Sequence, residues 1–264
     1  MTYRDLLYDT YVSANKKFRR PLGSRTRPGA EAQAWRFRKW LTNNTLSVLD
    51  LGCGSGEFLE VLASMGFLSL TGVDSSKEQL IAAGQTRRLI VEADIAAFLE
   101  QSAVNAVDVI LLLDVLEHFT RDEAIFILRS ANRHLRPGGH LILQLPNGDS
   151  PFSAAVFASD LTHETLYTSI SLRHVLEACG FTQCEFLEVG PVPLSLIGAV
   201  RCVLWQVFRT LVRAVHLIET GEKSTNVYTR VLACRAMNAR ITSVVEDEFT
   251  IEPLKQGSTY LPEC

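Results

Sequence analysis

Residues Val48 to Gly56 read Val-Leu-Asp-Leu-Gly-Cys-Gly-Ser-Gly, an apolar strand that runs without a break into a loop with glycine at 52, 54 and 56. Glycine permits positive φ and lets a ligand lie against bare backbone. The helical pattern from Glu57 to Met65 brings unpaired N–H groups to the same point. Such a segment commits the chain to a strand–turn–helix unit whose turn faces a ligand.

The remainder repeats that unit. Apolar runs predict strands near 46–51, 69–73, 88–92, 106–113, 139–145, 183–189 and 227–234, with helical stretches between them, the pattern of a mostly parallel sheet. Ser75 or Ser76 is positioned to cap a helix over 77–84, and Arg121 to Leu135 carries apolar residues at helical spacing. Pro137-Gly138-Gly139 is expected to stop that helix and turn the chain into the fifth strand. The organisation expected is an arm with a cap helix over 1–44, an α/β domain over 45–240 with a helical insertion at 191–222, and a tail over 241–264.

A net charge of −3 speaks against chain-wide binding of a polyanion such as nucleic acid. The N-terminus Met-Thr-Tyr-Arg-Asp-Leu-Leu does not read as a secretory signal, and no run approaches the ~20 apolar residues that span a bilayer. The six cysteines form no Cys-x-x-Cys pair and mostly sit in apolar runs, as buried free thiols do in a reducing compartment. A cytoplasmic location is therefore expected.

Two further strand ends complete a ligand site. The second strand, Leu70-Thr71-Gly72-Val73, ends on Asp74-Ser75, where a carboxylate grips the hydroxyls of a ribose. The third ends on Asp94-Ile95, an acid and an apolar residue suited to an adenine amino group and ring face. The glycine spacing is tighter than the GxGxxG of nicotinamide enzymes, which argues against that alternative. With these motifs the sequence resembles the class I S-adenosylmethionine-dependent methyltransferases, over roughly Leu46 to Phe181 and most nearly the enzymes of polysaccharide and ubiquinone biosynthesis. The resemblance implies a Rossmann-like α/β fold, a seven-stranded mostly parallel sheet with helices on both faces, and S-adenosyl-L-methionine as cofactor. It assigns cofactor binding to Asp50, Gly52, Cys53, Gly54, Gly56, Asp74, Ser75, Asp94, Ile95 and Leu113.

Methyl transfer onto a hydroxyl needs an aligned acceptor and help with loss of its proton. After the fourth strand comes Asp114-Val115-Leu116-Glu117-His118, in which a helical turn would put Asp114, Glu117 and His118 on one face. After the fifth comes Asp160-Leu161-Thr162-His163-Glu164. This pairing resembles the metal-dependent small-RNA 2′-O-methyltransferases and the ubiquinone-pathway O-methyltransferases. The resemblance implies that Asp114, Glu117, His118 and His163 hold Mg²⁺ or another divalent cation. In other class I methyltransferases the same Glu-His segment closes over the cofactor without metal, and His163 is then the expected general base, with His118 beside it. Asn147, at the end of the fifth strand, either touches the acceptor or only makes a turn.

Residues 194–218 project Arg201, Arg209, Arg213 and His216 on one side of a helix and Leu204, Phe208, Leu211, Val215 and Ile218 on the other. Three roles are open to it: its arginine side on an anionic membrane at the inner face, a homodimer contact, or a cover for the core. The N-terminal arm carries Lys16, Lys17, Arg19, Arg20, Arg25 and Arg27 with no acid from 11 to 29, suited to phosphate or to plain solvation. Together these features resemble the methyltransferases of bacterial polysaccharide and lipid-linked glycan assembly. The expected acceptor is a sugar or lipid-linked glycan hydroxyl, with a quinone-like or natural-product phenol second and RNA third. A fold-mate that has lost activity and partners an enzyme is the alternative outside catalysis.

Overall fold

A computed structural model describes residues 28–222 and 227–239, together with residue 7. The basic residues from Lys16 to Arg27 and the tail over 241–264 lie outside the described residues. Helix α1 (Pro28–Phe37) precedes β1 (Val48–Leu51), α2 (Glu57–Ser64), β2 (Leu70–Asp74) and α3 (Lys77–Ala82). A 3₁₀ segment, Gly84–Leu89, leads to β3 (Ile90–Glu92), α4 (Ile95–Gln101) and β4 (Val107–Leu113). A 3₁₀ turn, Leu116–His118, then joins β4 to α5 (Arg121–His134), followed by β5 (Leu135–Pro146), α6 (Ser153–Phe157) and α7 (Ser169–Ala178). The chain closes with β6 (Phe181–Glu188), α8 (Leu196–Thr220) and β7 (Val231–Asn238).

The seven strands form one sheet in the order β3-β2-β1-β4-β5-β7-β6, parallel except for β7, which runs antiparallel to both β5 and β6. Strand order reverses between β1 and β4, so their carboxyl ends diverge into loops that leave a crevice, the usual place for a ligand in an open α/β sheet. Both faces are covered, and the central strands are accordingly almost wholly apolar: Ile110, Leu111 and Leu112 of β4 are fully buried. One core layer joins Leu49, Ile110, Leu112 and Leu143 to α5 and α7, and the other joins Val48, Leu111 and Ile142 to α1 and α2. In the second, Phe37 stacks on Trp40 at 5.4 Å and meets Phe58 edge-on at 6.1 Å. The helical part of the N-terminal segment is thus an integral layer of the domain.

The Pro-Gly-Gly segment does something other than turn the chain ahead of β5. Helix α5 ends at His134 and the strand begins at once, pairing Leu135 with Val107 before the register shifts to His140 and Val109. Gly138 takes φ 76°, and a Cβ on Gly139 would stand 2.9 Å from two backbone oxygens, so the two glycines make a bulge inside the strand. The last strand starts at Val231, later than expected, because residues 227–230 are held as a loop: Asn147 Nδ2 donates to the Val227 and Thr229 carbonyls and Ser150 Oγ to that of Tyr228.

Candidate active site

The glycine loop is clamped to β2. Gly52 and Cys53 donate their N–H groups to the Val73 carbonyl at 2.7 and 3.1 Å, tying the loop to β2. Asp74 then clasps the turn, its Oδ2 accepting from Gly54 N and its Oδ1 from Ser76 N, both at 2.8 Å. Each carboxylate oxygen keeps capacity for another donor, so the clasp is compatible with hydroxyls bound on the same acid. Gly52 has φ 75°, and a Cβ there would come within 2.5 Å of Val115 Cγ2. The loop after β1 therefore touches the segment after β4 across the strand-order reversal.

Asp50 is buried beside Asp74, and burial and that neighbouring charge push its carboxyl up to about 7. A buried acid and a half-buried one beside a single glycine loop favour a cationic ligand, which lets both ionise. The same shift makes Asp50 a cost to the ligand-free fold. Its folded pKa is raised, so stability is lost as pH climbs from the ordinary carboxylate range to about 7, by about 4 kcal/mol. Asp50→Asn should gain stability relative to the parent over that window and track it below; paired thermal melts from pH 4 to 8 measure the difference.

The other residues assigned to the cofactor are spread along the same edge. Ser76 rather than Ser75 caps α3, accepting from Gln79 N, and Ser75 is exposed. Asp94 caps α4 through Ala97 N and is exposed, whereas Ile95 is buried in the core. Cys53 and Leu113 are half-buried, and burial pushes the Cys53 thiol up, which keeps it protonated. Cys179 and Cys234 are buried, and all the described cysteines are free.

Beyond β4 the chain does not enter a regular helix. Asp114 sits in the left-handed region at φ 58°, its N–H donating to the Gln144 carbonyl at 2.8 Å and its Oδ2 accepting from Gln144 Nε2 at 2.9 Å. The expected shared helical face is thereby broken: Asp114 is exposed and pinned to β5, and the short 3₁₀ turn carries Glu117 and His118 inward. There they meet His163, and one ligand atom from each of Glu117, His118 and His163 falls within 4.8 Å of the others. Three of the four expected cation ligands are together, and Asp114 is not among them.

The supports of this cluster are specific. His163 Nδ1 lies 2.9 Å from the Phe157 carbonyl, which can only accept, so that nitrogen carries the hydrogen and Nε2 has its lone pair toward Glu117 Oε1 at 4.0 Å. Thr162 Oγ1 donates to Asp160 Oδ1 at 2.6 Å and lies 2.8 Å from His118 Nδ1, from which it accepts. Glu117 is 1% exposed and its Oε2 has no hydrogen-bond partner among the described residues. Burial, with Asp114 and then Asp160 nearby, pushes its carboxyl well above the usual range. A buried carboxyl with an open oxygen, facing two imidazoles that each have a fixed hydrogen, is a set of donors that could hold a small cation. Thr162 is not among the residues the sequence singles out, although Asp-Leu-Thr is the pattern of a side-chain-closed turn.

A scan against known families matches a methyltransferase domain over residues 18–185. The chain belongs to the methyltransferase domain family. It is 32% identical to a ubiquinone biosynthesis O-methyltransferase of Rhizobium johnstonii over 57% of this chain and 65% of that protein. A trans-aconitate 2-methyltransferase of an Azoarcus species is 33% identical over 41% of this chain and 43% of that one. The chain spans about half the length of the curated relatives it matches. Among solved structures, an S-adenosylmethionine-dependent methyltransferase of Archaeoglobus fulgidus shares the fold with a TM-score of 0.58 at 20% identity, over 88% of this chain and 99% of that one. The Burkholderia thailandensis 1,6-didemethyltoxoflavin-N1-methyltransferase, bound to S-adenosylhomocysteine, superposes with a TM-score of 0.56 at 15% identity, over 90% of this chain and 89% of that one. The class I methyltransferase fold expected from the glycine loop is the fold this chain has.

On the other half of the sheet this methyltransferase-domain protein has a cavity of about 830 Å³, between α1, α8 and the turns that flank β6 and β7. Phe152, Leu194, Leu204, Trp205 and Phe208 line it, and Arg36, Arg201 and Arg230 bring positive charge. Arg36 donates to the Gly190 carbonyl; Arg201 and Arg230 are exposed, and their guanidinium groups have no ion-pair or hydrogen-bond partner among the described residues. Phe152 immediately precedes α6 and Phe157, which anchors His163, ends it, so one short helix of about 8 Å separates the cavity wall from the Glu117 cluster. Asn147 is buried and spends its amide on Val227 and Thr229, which makes it the builder of this wall. No sequence pattern marks the cavity, because its walls come from segments up to two hundred residues apart.

Of the roles open to it, helix α8 covers the domain, through part of its arginine side together with Trp205 and Phe208. Gly198, Cys202, Trp205 and Arg209 face the domain, where Glu188 Oε2 accepts from Trp205 Nε1 at 3.2 Å and from Arg209 Nη1 at 3.0 Å. Gly198 permits the approach, since a Cβ there would lie 2.4 Å from the Val192 carbonyl oxygen. The arginine side expected to meet lipid is thus partly an inner side. The apolar residues Val200, Val203, Leu204, Val207, Leu211 and Val215 point away from the core, Leu204 being 63% exposed and Leu211 62%. Among the described residues no helix is long and apolar enough to cross a membrane.

Proposed function

We propose that this protein uses S-adenosyl-L-methionine to methylate a hydroxyl of an amphiphilic acceptor, with a lipid-linked glycan as the leading substrate class. The observation that carries the reading is the Glu117–His118–His163 cluster, one short helix away from an apolar cavity with arginines at its rim. Gly52, Gly54 and Gly56 would cradle the cofactor, Asp74 its ribose and Asp94 with Ile95 its adenine end, while Asp50 offers negative charge to its cationic part. Bound there, S-adenosyl-L-methionine supplies an electrophilic methyl group. Phe157 holds His163 with Nε2 open to take the acceptor proton or to ligate a cation, and the buried surround of Glu117 keeps water from competing. A divalent cation on Glu117, His118 and His163 would acidify the acceptor hydroxyl. Arginines at the cavity rim suit an acceptor that carries a phosphate or carboxylate.

A second reading takes a quinone-like phenol as acceptor, favoured by the relative named as a ubiquinone biosynthesis O-methyltransferase. Methyl-labelled cofactor offered with glycolipid and phenol pools separates the two. Label is expected on an acceptor oxygen, and label found only on nitrogen or carbon would overturn the hydroxyl assignment. Asp74→Ala should weaken calorimetric binding of S-adenosylhomocysteine by about 1.5–3 kcal/mol through lost charge-assisted bonds. An unchanged affinity would remove Asp74 from the ribose site.

A further inference from the structure

We propose that the outward apolar face of α8 seats the protein on the surface of an anionic lipid bilayer, with the cavity beneath the helix open to amphiphiles from that surface. This deepens the lipid-linked reading above, and it replaces contact through arginines by contact through leucine and valine.

The orientation of the helix is fixed by its other side. Glu188 holds Trp205 and Arg209, Trp205 and Phe208 pack at 5.2 Å between ring centroids, and Phe208 stacks on Phe152 at 5.9 Å. A half-turn of α8 that buried its leucines would break the two bonds to Glu188 and the stack on Phe152, so the apolar face is held outward. From Leu196 to Ile218 the large exposed side chains of α8 include ten leucines, isoleucines and valines. The helix has no acid before Glu219. An apolar stripe of this length on one exposed helix is more than scattered surface hydrophobics, and it has the form of a helix lying in a bilayer interface.

Two observations select a bilayer over a second copy of the chain. Leu194, Ile197 and Leu204 are exposed on this face and also line the cavity, so the apolar surface runs without interruption from the outside of α8 into the pocket. A protein seated there would cover the mouth, whereas a bilayer both covers the face and contains apolar ligands for the pocket. The charge at the mouth is complementary to lipid headgroups as well, because Arg201 and Arg230 are exposed and their guanidinium groups have no partner among the described residues.

Flotation of the full chain with vesicles tests this directly. It should float with phosphatidylglycerol–phosphatidylcholine vesicles and less with phosphatidylcholine alone. The variant Val203→Gln/Val207→Gln/Leu211→Gln should lose at least ten-fold in partition, while keeping the parent's melting temperature and its calorimetric affinity for S-adenosylhomocysteine. Those three positions are exposed and lie outside the cavity lining. Parent protein that stays at the bottom of the gradient overturns the proposal, as does a folded variant that floats like the parent. A parent that is dimeric by light scattering, fails to float, and becomes monomeric in the variant would assign the face to a second copy instead. Flotation is read without turnover, so its failure leaves the assignment of an O-methyltransferase standing, and failure of methyl transfer leaves bilayer docking standing.

Discussion

Gly52→Ala should unfold this protein at a temperature about 6–12 °C below the parent and abolish measurable cofactor binding. Two costs add at this position. An alanine held at φ 75° costs about 1–2 kcal/mol in backbone strain, and its Cβ would lie 2.5 Å from Val115 Cγ2, an overpacking of about 1–3 kcal/mol. A total near 3 kcal/mol gives the melting shift for a domain of this size. Gly54→Ala is the control, because its φ of 57° imposes the strain while the nearest atom to the new Cβ, on Gln79, is 3.6 Å away. Its melting temperature should fall by roughly one third to two thirds as much. The contact with Val115 is tested by adding Val115→Ala to Gly52→Ala: the double variant should be more stable than the two single losses predict. Strict additivity would show that the loop yields and that Val115 does not limit it. Because Val115 leads directly into Glu117 and His118, the displaced side chain should also depress turnover under saturating cofactor.

The features that depend on neighbours along the chain are legible in the sequence itself. The glycine loop, the acid at the end of β2 and the alternation of strands are local signals, and they specify the fold class. What stays hidden depends on residues distant in sequence or on a single backbone angle. Asp114, Glu117 and His118 have the spacing of a helical face, but Gln144 on the neighbouring strand pins Asp114 at φ 58° and splits the trio. The helical period of 194–218 holds, yet a period says only that two sides differ and never which is inside. Glu188 marks the inner side, because it accepts from both Trp205 and Arg209 and lies outside the helix in sequence. Asn147 shows the same limit, for its two carbonyl partners lie 80 and 82 residues away in the loop before β7.

Turnover should fall at least a hundred-fold in excess EDTA and return when a divalent ion is restored, with one ion bound per chain. The expectation rests on Glu117, His118 and His163, whose ligand atoms lie within 4.8 Å of one another, on the fixed Nδ1 hydrogens of both rings, and on the open, buried Oε2 of Glu117. Two imidazoles and one carboxylate suit manganese or zinc better than magnesium, which prefers an all-oxygen shell, so rescue should be stronger with the former pair. Binding of manganese, followed by its paramagnetic signal without any turnover, should be lost in His163→Ala and in His118→Ala. It should persist in Asp114→Asn, because Asp114 is held by Gln144 outside the cluster. Loss of binding in Asp114→Asn would restore it as a ligand and require the turn after β4 to rearrange. Full activity in chelator would refute the cation. The loss on His163→Ala, then measured in EDTA, should be about 10²–10⁴-fold, the range of a general base that takes the acceptor proton on Nε2. A His163→Ala protein as active as the parent under both conditions would leave neither role for the residue, and would shift the chemistry to an acceptor acidic enough to need no base.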